Sequence, residues 1–368
     1  MVRYKLNMNL GFWGKINRPF MVLAPMANVT DWAFRQVIIE AGTSTGLSVN
    51  KPDVFYTEFL SCDGIVYDKE RFKKEMYFEE NERPIVIQFF GSKPDNFYKC
   101  AQLAVELGFD GVDINMGCPD KAVEKQKAGA ALMKNPELAK KIIEETIRGA
   151  GSLPVSVKTR LGYNNIESDT WVKGLLETDI ATLVVHGRTR KEMSKVPAHW
   201  DELGKISQMA NGSGKIIVGN GDVTSIEDAQ KKAKDFGLDG IMVGRGIFAN
   251  PWFFSGRESG TPEERVGLLL KHLANFEKLW GQNKNFDTMK RFFKIYINGP
   301  RFAGRMSPEA LATAQGFGEA SWDGAKELRA RLMNCKNSKE AISILDPALE
   351  KFSLDIAEGK NLSRAGLT

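Results

Sequence analysis

Cysteine, histidine and long apolar segments are scarce in this chain of 368 residues. Its four cysteines, Cys62, Cys100, Cys118 and Cys335, lie far apart and form no CxxC pair, and its three histidines are equally scattered. This spacing argues against a zinc site and a disulfide framework, and it favours a reducing compartment. No apolar segment reaches the length of a membrane span, and the N-terminus has no signal-peptide core. We therefore expect a cytoplasmic protein with no membrane partner.

Two nucleotide-binding motifs are also missing. No GxGxxG follows the first predicted strand, and no GxxxxGK[ST] occurs in the chain. A Rossmann dinucleotide site and a P-loop NTPase are therefore disfavoured. The net charge of +5 is compatible with a polyanionic partner but does not identify one.

Eight short apolar segments recur at fairly even intervals and predict β-strands. Most are separated by helix-like stretches such as 95–108, for which Asp95 is the predicted N-cap, and 225–237, for which it is Ser225. Continuous apolar strands that alternate with helices favour an α/β fold, a closed (β/α)8 TIM barrel, over a doubly wound open sheet. The predicted strands cover 20–27, 54–60, 85–91, 111–117, 155–160, 182–188, 215–221 and 240–246.

The pattern changes after about residue 255, where strand-like segments stop. Helical apolar spacing follows in 261–280, 286–299, 307–318 and 321–334. We predict an N-terminal barrel over 1–255, a smaller C-terminal helical domain over 256–350 and a tail over 351–368.

Polar residues gather at the carboxyl ends of the predicted strands. In a closed barrel these ends converge on one mouth, where barrel enzymes place their chemistry. A lysine there can stabilise a ring that becomes anionic on reduction. The alternative is that Lys158 forms a structural ion pair and that His186 forms a structural hydrogen bond. The residues concerned include Glu58, Gln88, Asn115, Lys158, Arg160, His186, Arg188, Asn220 and Asp222.

The last two strands end in glycine-rich turns, VGNGDV and VGRGIF. Bare backbone amides at such turns can bind a phosphate, and barrels often build a phosphate site after strands seven and eight. Arg245 could add a charged contact to that phosphate.

Cys118 follows a strand in the segment DINMGCP, between Gly117 and Pro119. Most buried cysteines are chemically inert. This one is delivered to the predicted mouth, which suggests a nucleophile or a general acid. Residue pattern alone does not decide between these roles.

Taken in order, the motifs APMANVTDWAFR, YTEF, IQFFGS, DINMGCP, KAGAALM, VSVKTRLG, VHGRTR, GNGDV and VGRGIFANPWFF resemble those of the tRNA-dihydrouridine synthases, most closely the bacterial type with NMGCP. The resemblance is close over about residues 15–255 and looser beyond. It implies an FMN-dependent (β/α)8 barrel with a C-terminal helical domain. Such an enzyme reduces the 5,6 double bond of selected uridines in tRNA, with NADPH as the electron donor, and we expect a monomer.

The resemblance also implies roles for individual residues. Cys118 is the general acid, and Asn115 and Arg160 are candidates for binding the uracil. The remaining assignments concern FMN: Pro25, Met26 and Ala27 along the flavin, Gln88, Lys158 and His186 on its ring system, and Asn220, Gly221, Asp222, Gly244 and Arg245 at its phosphate.

A basic stretch over 278–305 favours RNA binding by the helical domain. Lys290 and Arg291 are its predicted tRNA contacts, and the aromatic residues Phe292, Phe293 and Tyr296 interleave with the charges. The alternative is a solvated basic helix with its aromatic side chains packed inside. Family members often carry a basic residue followed by histidine here, whereas this chain has Arg291 followed by Phe292.

Two other functions compete with tRNA uridine reduction. One is a flavin-dependent dehydrogenase of a free pyrimidine or small enone, similar to dihydroorotate dehydrogenase, which predicts no RNA binding. The other is a non-catalytic RNA-binding barrel, which predicts no effect of replacing Cys118.

Overall fold

The computed structural model describes residues 9–43, 50–257, 260–297 and 325–346. Its contacts group the chain into two compact units, one formed by residues 1–31 and 52–244 and the other by 32–51 and 245–368. The domain limits at residues 255 and 350 stay predictions. The predicted helix over 307–318, the start of the one over 321–334 and the tail lie outside the described residues.

The first unit contains a parallel sheet of eight strands. Each strand pairs with its neighbour in the order β1-β8-β7-β6-β5-β4-β3-β2, and a parallel bridge between Val22 and Val54 joins the two ends. The sheet is therefore a closed (β/α)8 barrel, as predicted, and the open-sheet alternative is wrong. Its strands are β1 (Phe20–Leu23), β2 (Phe55–Ser61), β3 (Ile85–Phe90), β4 (Gly111–Asn115), β5 (Val155–Arg160), β6 (Thr182–His186), β7 (Ile216–Asn220) and β8 (Gly240–Val243).

Helices connect most of these strands. The Ser225 hydroxyl accepts from the Asp228 amide at 3.1 Å and caps its helix as predicted. Asp95 is not the cap of its helix, because Pro94 fixes the first helical residue one position earlier and leaves Asp95 in the first turn. Seven helices of this unit are α2 (Cys62–Tyr67), α3 (Pro94–Glu106), α4 (Lys121–Lys125), α5 (Pro136–Ala150), α6 (Lys173–Leu176), α7 (Trp200–Ala210) and α8 (Ile226–Asp235). The helix α1 (Trp32–Thr43), which follows β1 in the chain, belongs to the second unit.

Strand register decides which side chains face the barrel interior. Alternate residues of each strand share one face, and apolar ones such as Phe20, Val22 and Val218 form a buried cluster. Trp13, from the turn Gly11–Gly14, packs its ring 5.6 Å from that of Phe20. Polar residues stand side by side toward the carboxyl ends of β3 to β7. The strand register places these neighbours in three groups: Gln88, Asp113 and Ser156; Asn115 and Lys158; and Arg160, His186 and Asn220.

The second unit is helical in its described part. In it α1 packs against two later helices: the Phe34 ring lies 5.6 Å from that of His272 and 5.3 Å from that of Phe292. Phe292, Phe293 and Tyr296 are all buried, so the alternative of aromatic side chains packed inside is the correct one for them. The later helices are α9 (Gly246–Ala249), α10 (Pro262–Leu279), α11 (Lys290–Ile297), α12 (Ala325–Met333) and α13 over residues 338–346.

None of the helices in the described residues is both long enough and apolar enough to cross a bilayer.

The pairing of Phe20 with Gly240 yields a test of the barrel interior. A Cβ on Gly240 would lie 2.5 Å from the buried Phe20 ring, so Gly240→Ala should lower the free energy of unfolding by about 1–3 kcal/mol. Gly174 in α6 is the control, because a Cβ there meets nothing within 4 Å and Gly174→Ala should raise stability by about 0.4–1 kcal/mol. Urea unfolding measures both, and equal stability of the two variants would contradict the packing described.

Candidate active site

The turn that carries Cys118 is fixed from two sides. On the strand side, the Asn115 side-chain oxygen accepts from the Gly117 and Cys118 amides at 3.2 and 2.9 Å. On the other side, the Ala130 amide donates to the Cys118 carbonyl at 3.0 Å. Gly129 has φ +60°, and a Cβ on it would lie 2.8 Å from that carbonyl, so only glycine allows this approach. The thiol is thereby held at the carboxyl end of β4.

A chain of hydrogen bonds runs from a buried carboxylate to this turn. Gln88 Nε2 donates to Asp113 Oδ2 at 2.6 Å, and Asn115 Nδ2 donates to Gln88 Oε1 at 2.9 Å. An ionised carboxylate can only accept, so Asp113 dictates which way the Gln88 amide faces, and Gln88 in turn dictates the direction of Asn115. Ser156 Oγ donates to the other oxygen of Asp113 at 2.5 Å.

Burial raises the pKa of the Cys118 thiol above its usual value. The backbone amide of Asp120 and the cationic side chains of Arg160 and Lys158 pull the pKa the other way without reversing the shift. The sulfur is therefore a protonated thiol at neutral pH. This state suits a proton donor better than a nucleophile, which needs the thiolate.

Lys158 places a half-buried cation near that thiol. Its Nζ donates to Asn220 Oδ1 at 3.3 Å, and within the described part of the chain no carboxylate lies at ion-pair distance. Burial, helped by the nearby Arg160 charge, lowers the pKa of Lys158 to about 8, while burial raises the pKa of Asp113 to about 6. The alternative of a salt-bridged lysine is therefore wrong for this residue. Its ammonium can favour negative charge on a group bound in the mouth.

His186 is held by an arginine that the sequence-based assignment did not include. Arg188 Nη1 lies 3.1 Å from His186 Nε2, and because a guanidinium cannot accept, Nε2 is the acceptor and the neutral ring carries its proton on Nδ1. Arg188 is itself buried and forms an ion pair with the Asp222 carboxylate, which also accepts from the Ala198 amide at 2.8 Å. Asp222 therefore orients His186 through Arg188.

The guanidinium of Arg160 is engaged with backbone carbonyls. It donates from Nε to Gly117 at 2.8 Å, and from Nη1 to Thr189 at 3.2 Å and Met193 at 3.1 Å. These bonds join the Cys118 turn to the loop after β6. In the described structure Arg160 thus supports the turn, and its contact with uracil stays a prediction.

Other predicted residues fall in two places. In the first unit, Gly221 has φ +134°, and a Cβ on Gly244 would meet only Ala24 and Met26, at ordinary contact distances. Pro25 and Met26 are half-buried and Ala27 is exposed just beyond β1. Arg245, Lys290 and Arg291 belong to the second unit. There Arg245 precedes α9, Lys290 pairs with Asp287 at 2.6 Å, and Arg291 is exposed.

Sequence reasoning missed two residues of the site, Asp113 and Gly129, and it placed Arg188 at a strand end without giving it a role. Asp113 could have been found, because strand alternation places it on the same face as Asn115 and a charge there is unusual. Arg188 lies in the HGRTR motif, in the turn directly after His186, so its closeness to that ring could have been expected from the sequence. The need for glycine at position 129 depends on a backbone approach that no local pattern shows.

The described residues contain no cluster of side chains suited to a metal ion. The mouth thus combines a protonated thiol, a half-buried ammonium and a fixed set of amides, an arrangement suited to proton donation and to binding an electron-rich ring.

Comparison with known proteins agrees with this chemistry. A model of the Dihydrouridine synthase family matches residues 22–329. A probable tRNA-dihydrouridine synthase of Staphylococcus aureus (strain COL) is 38% identical over 95% of this chain and 99% of its own length. A probable tRNA-dihydrouridine synthase 2 of Bacillus subtilis (strain 168) is 38% identical over 94% of this chain and 98% of its own length.

Solved structures give more distant matches. A variant of NCR from Zymomonas mobilis is 18% identical, with a TM-score of 0.43 over 72% of this chain and 94% of its own. Histamine dehydrogenase from Rhizobium sp. 4-9 is 14% identical, with a TM-score of 0.47 over 69% of this chain and 48% of its own. The family model and the two relatives, which match nearly the whole chain, lead to one conclusion: this chain belongs to the dihydrouridine synthase family.

Proposed function

We propose that this protein reduces the 5,6 double bond of uridines in tRNA to give dihydrouridine, using FMN. The observation that carries the proposal is the position of Cys118 in the barrel mouth, on a turn fixed by Asn115 and near the half-buried Lys158 ammonium. Family membership and the names of the relatives supply the substrate class.

The residues of the mouth fit a flavin. Partial burial without an ion-pair partner disfavours the Lys158 ammonium, and a ring system that takes negative charge on reduction would offset that cost. Gln88, Lys158 and His186 would hold the ring system, with Pro25, Met26 and Ala27 along it. For the phosphate we assign Asn220, Gly221 and Gly244. We also assign Arg245, and this last assignment rests on the resemblance alone. Asp222 would serve through its backbone, because its carboxylate is paired with Arg188.

Bound in its reduced form, FMN would supply the hydride for carbon 6 of uracil. The protein's own residues complete the reaction. The base then carries negative charge, which is neutralised when the Cys118 thiol donates its proton to carbon 5. A thiol that stays protonated at neutral pH is available for that transfer. Asn115 has one side-chain N–H without a partner among the described residues, which suits it to the uracil. Reaching the mouth requires that the uridine leave the tRNA stack.

Further parts of the proposal concern partners. We infer NADPH as the electron donor and a monomeric enzyme. Arg291, exposed on α11, and Lys290 beside it would contact tRNA phosphates, which adds affinity but no sequence reading. The buried Phe292 and Phe293 contribute nothing to such a contact.

Anaerobic electron transfer tests the function. The purified protein is reduced with NADPH, mixed with unmodified tRNA or with free uridine, and followed by flavin absorbance. Rapid oxidation by tRNA with formation of dihydrouridine is the expected result. Oxidation by a small pyrimidine alone would favour the dehydrogenase, and a protein that binds tRNA without taking up FMN would be a non-catalytic RNA-binding barrel.

The role of Cys118 is tested in the same assay. Cys118→Ala should retain FMN yet react with tRNA about 10²–10⁴-fold more slowly, because the proton donor is missing. An undiminished rate would remove Cys118 from the mechanism.

The Lys158 pKa predicts a pH dependence. The Lys158 ammonium loses its proton above about pH 8 in the ligand-free protein, and an anionic ring beside it would raise that pKa further, so the rate of uridine reduction should fall at alkaline pH. The Cys118 pKa is raised as well, so a substitution at Lys158 is needed to assign the fall. Lys158→Arg retains the charge at alkaline pH and should move the fall upward. The pH profiles of the wild type and Lys158→Arg are measured on single turnovers. Superimposable profiles would show that the Lys158 charge does not cause the fall in rate.

The proposed RNA contact predicts a change in salt dependence. Replacing Lys290 and Arg291 together with alanine should weaken tRNA binding and reduce the slope of log Kd against log salt by about one for each phosphate that the variant no longer neutralises. Lys231→Ala is the control, an exposed lysine paired with Asp235 on α8 of the first unit. Binding curves at several salt concentrations give the slopes. An unchanged slope in the double variant would place the RNA surface elsewhere.

A further inference from the structure

The helix α2 lies on the rim of the barrel mouth, next to the Cys118 turn. It follows β2 directly, and Phe59 near the end of β2 packs in one cluster with Cys118 and Phe90. Asp63 in α2 accepts from the Asn96 side chain of α3 at 2.5 Å. It also pairs at 3.3 Å with Lys93, which lies in the loop after β3.

The rim continues from that loop to α4. Ser92 Oγ donates to the Gln126 carbonyl at 2.8 Å, just after α4, which itself begins three residues after Cys118. These contacts make α2, the loop after β3 and α4 neighbours at the carboxyl ends of β2, β3 and β4.

Tyr67, the last residue of α2, presents its side chain to solvent on this rim. It is 93% exposed, and the adjacent Val66 is 39% exposed. Among the described residues, no hydrogen-bond or ring partner holds the Tyr67 side chain. Both faces of its ring are therefore open to a ligand that reaches this part of the rim.

The chemistry around Tyr67 favours nucleic acid as the partner. Lys69, Arg71 and Lys73 are exposed within the next six residues, where Asp68 and Glu70 are also exposed and Glu70 pairs with Lys73. The clearer excess of positive charge lies on or just after α4 along the same rim, where Lys121, Lys125 and Lys127 are exposed. Aromatic side chains set among cations bind single-stranded or unstacked nucleotides by stacking on the bases, while the cations meet the phosphates.

We propose that Tyr67 is a stacking platform for a tRNA base that flanks the uridine in the mouth. The inference rests on the proposed function and deepens it by naming where the catalytic unit contacts its RNA. When the target uridine leaves the stack, its neighbour loses a stacking partner, and the Tyr67 ring replaces that partner. Tyr67 therefore contributes affinity for the productive complex and is not a catalytic residue.

The chain offers a matched control in Tyr77. This second tyrosine of the segment between β2 and β3 is 41% exposed, and its hydroxyl donates to Glu79 at 3.3 Å. Its neighbour Phe78 packs its ring 4.7 Å from that of Phe109, two residues before β4 begins. Tyr77 thus lies near the amino ends of the strands, whereas Tyr67 lies at their carboxyl ends.

The test compares the wild-type holoenzyme with Tyr67→Ala, Tyr67→Phe and Tyr77→Ala. Binding of unmodified tRNA is measured at several salt concentrations, and flavin reduction by NADPH is followed without RNA. Tyr67→Ala should weaken tRNA binding by about tenfold or more, because the base has no ring to stack on, without changing the salt slope, because every phosphate keeps its cation. Tyr67→Phe keeps the ring and should bind like wild type, as should Tyr77→Ala. All four should show the same flavin reduction rate.

Other outcomes overturn the inference. Wild-type affinity in Tyr67→Ala would show that no base stacks there, and weak binding by Tyr67→Phe would indicate a hydroxyl contact in place of stacking. A smaller salt slope in Tyr67→Ala would mean that the weaker binding comes from displaced cations. Failure of the proposed function is separate, since it appears as a wild-type reduced enzyme that tRNA does not oxidise.

Discussion

The organisation of the mouth depends on the buried carboxylate of Asp113. Its two oxygens accept hydrogen bonds from Gln88 and Ser156. Because the carboxylate can only accept, it fixes the orientation of the Gln88 side-chain amide, which in turn fixes that of Asn115. The Asn115 oxygen then accepts from the Cys118 backbone amide. The same carboxylate favours the charged form of Lys158, whose ammonium opposes the raised pKa of Cys118. One anion inside the barrel therefore orients the thiol and affects how easily it gives up its proton.

Much of the barrel could be predicted because its signals are local. All eight strands were predicted to within a few residues, since each buried strand is a short apolar segment ended by a turn. The carboxyl-end residues were found for a related reason: a polar side chain at the end of an apolar strand is conspicuous in the sequence. Their convergence followed from the closed topology.

What could not be predicted depends on contacts between distant segments. The Arg188 pairing with Asp222 joins the ends of β6 and β7, and the three carbonyls bound by Arg160 come from two different loops. The family resemblance implied roles in ligand binding for Asp222 and Arg160, whereas in the described structure their side chains hold other groups of the protein. On α11 the aromatic spacing suited RNA stacking and core packing equally, and burial alone distinguished them.

The placement of α1 links synthesis to folding. This helix lies between β1 and β2 in the chain, yet it packs with α10: the Asn275 side chain donates to the Ala33 carbonyl at 3.4 Å, and the Lys278 ammonium lies 4.6 Å from the Trp32 ring centroid. More than 200 residues must therefore leave the ribosome before α1 meets its partner. During that interval α1 lacks its contacts with α10, and apolar surface that is not yet packed invites chaperone binding. The nascent chain completes its second unit only when its C-terminal third has been translated.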